Sequence, residues 1–121
     1  MKRITALLVV AALAISMFPL AAFAKSEAQE GMYGGYYYTA SLTSTKSSAT
    51  TRMTYVGSTK IHSTGNIYSK DSSGKTISTA FSTIPKTSSV SSTKSVSNIT
   101  SVNQNYYVSN TRVTTISFNV S

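Results

Sequence analysis

The chain has 121 residues and a net charge of +8, from 11 Lys and Arg against 3 Asp and Glu, with one His and no Cys. That length makes one domain. The lack of Cys excludes disulfide staples, and so few carboxylates and imidazoles leave little for acid–base or metal chemistry.

Residues 1–24 read as a processing segment. Lys2 and Arg3 form a positive start, Ile4 to Phe18 is almost wholly apolar, and Pro19 interrupts the helix. Ala22-Phe23-Ala24 is a small-x-small site. The pattern predicts a helical signal peptide cut after Ala24, and hence a secreted, extracellular product of bacterial type. An uncleaved anchor is the alternative, since the apolar stretch just reaches across a bilayer. Removal of Lys2 and Arg3 leaves +6 on the remaining 97 residues. These contain 39 Ser and Thr against 16 Leu, Ile, Val and Phe, below the one in five at which disorder becomes a live reading. Charge is sparse, however, and Thr and Tyr favour strands, so the composition points to a folded β domain with a thin core.

Residues 25–35 are polar, hold Glu27 and Glu30, and end in Gly34-Gly35, which reads as a flexible lead-in. A single β domain is expected over 36–121. Its first strand alternates Tyr36, Tyr38, Ala40 and Leu42, facing inward, with Tyr37, Thr39, Ser41 and Thr43. Ala49, Thr51, Met53 and Tyr55 mark a second strand.

The clearest local signal lies between Lys60 and Ile84. Asp71-Ser72-Ser73-Gly74 fits a type I turn with a bulge, which pairs Asp71 with Lys75. Counting back, Ser69 faces Ile77, Ile67 faces Thr79 and Gly65 faces Phe81. Ile61, Ile67, Ile77 and Phe81 then share one face, with the Phe81 ring over Gly65 as an aromatic cover for a strand glycine. His62, Asn66, Tyr68 and Lys70 take the other face.

After Pro85, short edge strands are expected near Val90 and near Val96, followed by a loop through Asn103-Gln104-Asn105. Tyr106 to Val120 is the last strand region, and a bulge near Asn110 to Arg112 accounts for the break of parity at Val113. Short alternating strands with polar turns predict an all-β fold, a small antiparallel β-sandwich of Ig-like or jelly-roll-like form.

No catalytic, cofactor or metal site is expected: the carboxylates are scattered, and His62 points outward beside Lys60. The candidate contact residues are Tyr33, Tyr37 and Tyr68, which offer flat rings with a hydroxyl, and Lys60 and Lys70. A basic exported domain is drawn to anionic cell-wall polymer, acidic glycan or a membrane surface, rather than to nucleic acid. The leading expectation is an exported, non-enzymatic binding or structural domain. The alternative is an antimicrobial or membrane-active protein, with Ile61, Ile67, Ile77 and Phe81 facing lipid. A basic exported β-sandwich resembles lactococcin-type bacteriocins in architecture alone. A third reading is a matrix component that polymerises through its strand edges.

Overall fold

The structure, a computed structural model, describes residues 24–120. The expected signal peptide lies outside the described residues, save Ala24. The described chain folds into eight strands: β1 (Lys25–Tyr33), β2 (Tyr36–Ser44), β3 (Ser48–Tyr55), β4 (Ile61–Lys70), β5 (Thr76–Ser82), β6 (Ser89–Ser95), β7 (Ile99–Val108) and β8 (Thr111–Asn119). They form two four-stranded antiparallel sheets, ordered β1-β2-β3-β6 and β5-β4-β7-β8.

Alternation explains most of the strands. In β2 and β3, Tyr38, Ala40 and Leu42 lie beside Tyr55, Met53 and Thr51, all buried. In β4 and β7, Ile61 lies beside Val108 and Ile67 beside Val102. These residues, with Phe81, Val90, Ile99, Tyr106 and Ile116, make one core drawn from both sheets. Tyr106 is the largest of the fully buried side chains in that core. Its hydroxyl donates to the Ser41 carbonyl at 2.9 Å and bonds Thr51 Oγ1 at 2.8 Å.

The β4–β5 hairpin has the expected loop and register. Asp71 N donates to the Lys75 carbonyl at 3.0 Å, and Ser69, Ile67 and Gly65 face Ile77, Thr79 and Phe81. Ile61, Ile67 and Phe81 are buried, so they face the core and not an outer surface. Ile77 has their parity but sits beside the hairpin loop on an edge strand and stays exposed. The space above Gly65 is also filled differently. A Cβ there would meet the Asn103 carbonyl and the Gln104 amide. Gln104 reaches over the glycine and donates from Nε2 to the Phe81 carbonyl at 2.7 Å. Its Oε1 has no hydrogen-bond partner among the described residues.

Four further expectations are corrected. The lead-in is strand β1, paired with β2 along its whole length. Gly34 (φ 60°) and Gly35 (φ 85°) do not end structure but reverse it, as the two-residue loop whose twist suits a hairpin. The loop at Asn103-Gln104-Asn105 is the middle of β7, where Gln104 takes a core position between Val102 and Tyr106. A hairpin turn at Ser109-Asn110 separates β7 from β8; the register shift lies between Tyr106 and Tyr107, opposite Val113. Near Val96, β6 ends at Ser95, and Val96 N bonds the Ser47 carbonyl instead.

The margins of the first sheet carry charge on the core-facing side. Glu27 on β1 lies beside buried Leu42, Lys25 beside Ser44, and Lys94 on β6 beside buried Ala49. All three side chains remain exposed. On the outer side of the same sheet, hydroxyls pair across strands: Ser26 with Thr43 at 2.9 Å, Thr50 with Thr93 at 2.9 Å, and Thr39 with Thr54. Abundant Ser and Thr thus supply strand-forming side chains that also hydrogen-bond their cross-strand neighbours.

Candidate anion-binding end

Along the chain the lysines look evenly dispersed. The fold sorts them. The loops 45–47, 71–75 and 96–98 meet at one end of the molecule: Ile99 N bonds the Lys46 carbonyl at 2.9 Å, Lys70 N the Asn98 carbonyl at 3.1 Å, and Val96 N the Ser47 carbonyl at 3.1 Å. Lys46, Lys70 and Lys75 belong to this end. Lys25 and Lys94 flank it, since they pair with Ser44 and Ala49 on either side of the 45–47 loop. Two of these ammonium groups are oriented by the protein. Lys70 Nζ donates to Thr76 Oγ1 at 2.8 Å, and Lys94 Nζ to the Ala80 carbonyl at 3.2 Å.

The acids near them are Asp71 and Glu27. Asp71 is committed to its turn: Oδ1 accepts from Ser73 N at 2.9 Å, Ser73 Oγ at 2.7 Å and Lys75 N at 2.9 Å. The Ser73 hydroxyl above all, then the Lys75 amide, holds its carboxyl below the ordinary carboxylate value. Glu27 stands on the β1 margin, two residues from Lys25. Five ammonium groups against these two carboxylates leave a positive field at this end.

The five residues expected to make contacts are not brought together. Lys70 belongs to the lysine end. Lys60 precedes β4 and so lies a strand of ten residues away, about 30 Å. Tyr33 is half-buried near Lys60's end, its hydroxyl on Thr111 Oγ1 at 3.2 Å. Tyr37 is exposed at that same end. Tyr68 points outward from β4 into a shallow depression of about 340 Å³ with Asn103, Ser117 and Asn119. Sequence reading passed over Lys25, Lys46, Lys75 and Lys94 as a group, and no spacing links them; only the meeting of three loops does.

His62 lies on the outer side of β4, its ring stacked on Tyr107 with centroids 4.7 Å apart and planes 4° apart. Among the described residues, no three His, Asp or Glu side chains gather in a way that could hold a metal ion. A cleft of about 660 Å³ opens beside β6, lined by Arg52, Met53, Thr83, Ile84, Lys86 and Val90 among others, with no carboxylate. Compared with protein-family models, curated proteins and solved structures, the chain matches none.

Proposed function

We propose that this chain is an exported, non-enzymatic binding domain, cut from a bacterial signal peptide after Ala24, that holds an anionic polymer of the cell envelope at its lysine end. In this reading the two sheets stack as a small β-sandwich that serves as a rigid spacer between its two ends. The single observation that carries the proposal is the gathering of Lys46, Lys70 and Lys75 where three loops are joined by hydrogen bonds, with Lys25 and Lys94 flanking them on the edges of the first sheet. A flexible polyanion with phosphate or carboxylate groups can meet several ammonium groups at once and release its counterions. Separate lysines on a mobile surface would have to be ordered first; here the loops are already fixed.

The test is binding to poly(glycerol phosphate), followed as NaCl rises from about 50 to about 200 mM. Affinity should fall by more than about tenfold over that range. The variant Lys46→Gln/Lys70→Gln/Lys75→Gln should bind weakly with a flatter salt slope. Unchanged binding in that variant would sink the proposal.

A second reading, a membrane-active antimicrobial, is favoured by one observation: apolar side chains are exposed at the opposite end of the molecule. Dye leakage from anionic vesicles separates the two, since polymer binding at the lysine end releases no dye.

A further inference from the structure

The exposed large apolar side chains are as unevenly placed as the lysines. Met32, Tyr36, Tyr37 and Val56 are 50%, 52%, 44% and 69% exposed. All four sit where β1 turns into β2 and β3 ends. Met32 lies beside Tyr37, and Val56 N donates to the Tyr37 carbonyl at 3.1 Å, which makes Met32, Tyr37 and Val56 one row across three strands. Tyr36 follows on the other side of β2, its ring edge-on to Tyr55 at 6.1 Å and 81°. Among the described residues, the remaining exposed large apolar side chains are Ile84, at this same end, and Ile77, at the far one.

Three cations surround this tip. Lys60 and Lys86 are neighbours, since Lys86 bridges to Ile61, and Lys60's carbonyl accepts from Ser109 N at 2.8 Å. Arg112 follows Thr111, whose hydroxyl holds Tyr33. One carboxylate is near, Glu30, two residues behind Met32 on the outer side of β1.

The shape decides what fits. Consecutive residues of a strand point to opposite faces, so the rings of Tyr36 and Tyr37 stand on two sides of a narrow edge. A flat sugar or the flat face of a second copy would meet only one of them. Immersion in a soft medium covers both. Tyrosine carries an apolar ring and a wet hydroxyl, the combination that settles at a bilayer interface, while flanking Lys and Arg meet anionic headgroups. The tip is also fixed in advance. Tyr55 donates to the Tyr33 carbonyl at 2.8 Å, and the glycine turn is two residues long, so docking orders no loop.

We propose that the Met32–Tyr36–Tyr37–Val56 tip docks into the interface of an anionic phospholipid bilayer, with Lys60, Lys86 and Arg112 on the headgroups. Docking requires neither the polymer contact nor a leak: polymer affinity, dye leakage and tip immersion are read separately and fail separately.

The chain has no Cys, so single cysteines can be placed at will. The full chain with Val56→Cys, carrying an environment-sensitive NBD dye, should show a blue shift on vesicles of equal parts phosphatidylcholine and phosphatidylglycerol. Phosphatidylcholine alone should give little shift. The same dye on Ser72→Cys, in the far hairpin loop, should report no change. Adding Tyr36→Ser/Tyr37→Ser should abolish the shift. Lys60→Gln/Arg112→Gln, which alters no packed side chain, should weaken vesicle binding by at least about tenfold. A silent dye at position 56, an equal shift at position 72, or a shift that grows with protein concentration without vesicles would overturn the proposal.

Discussion

The hydroxyl of Tyr106 on β7 and that of Thr51 on β3 meet at 2.8 Å, which joins the two sheets by a buried hydrogen bond. Tyr106 spends its only proton on the Ser41 carbonyl, so Thr51 is the donor to the phenol oxygen. Tyr106→Phe keeps the ring and takes one buried hydrogen bond from each partner. It should cost about 1–3 kcal/mol in urea denaturation.

The same residue sets an alkaline limit. Burial pushes the Tyr106 phenol well above its ordinary value of 10.0, against the opposing hydrogen bond from Thr51. The unfolded phenol ionises near 10, while the folded one keeps its proton. Stability should therefore be full below pH 10 and fall as the pH rises beyond it. Denaturation midpoints measured from pH 8 upward should show a smaller decline in Tyr106→Phe, which has no proton to lose there.

At the acid end, Asp71 works in the opposite sense. Its three hydrogen bonds hold the folded carboxyl below the ordinary 3.8, so the stability it supplies is present above that value and is lost as the pH falls through the folded one. Asp71→Asn should lower stability at neutral pH and flatten the loss below pH 4, measured by thermal melts across that range.

Two glycines should respond to alanine for different reasons. In Gly65→Ala the new Cβ would come within 2.0 Å of the Asn103 carbonyl, so the central strands must separate, at about 2–3 kcal/mol. Gly74 has open space but φ of 84°, so Gly74→Ala carries only the left-handed penalty, about 1–2 kcal/mol. Urea titrations of the two variants side by side should preserve that order.

Ile67 and Ile77 separate burial from parity. They share a face of the hairpin, yet Ile67 is enclosed and Ile77 is not. Ile67→Ala should cost about 2–5 kcal/mol, and Ile77→Ala no more than about 0.5 kcal/mol. Similar losses from both would place Ile77 inside.

What could be read from residues alone was what neighbours in the chain determine. Asp71 to Gly74 sets its own turn, and the turn sets the register of the strands on either side. Gly34-Gly35 carried the same kind of information, but a pair of glycines can end a strand or reverse it, and only a partner strand decides which. Gln104 was mistaken for loop because an amide rarely fills a core position. It fits there because Gly65, 39 positions earlier, leaves room above β4. The lysine end was hidden for a similar reason. Lys25 and Lys94 reach the same end, on opposite edges of the first sheet, only through its order of strands, which no local pattern encodes.

Lys25, Glu27 and Lys94 give both borders of that sheet a guard against fibre growth. An incoming strand would have to seal an ammonium or a carboxylate against apolar surface, which is far costlier than its new backbone bonds are worth. Propagation into filaments is thereby steered to β5 and β8, and material that gels at high concentration should shield the amides of those two strands from hydrogen exchange first.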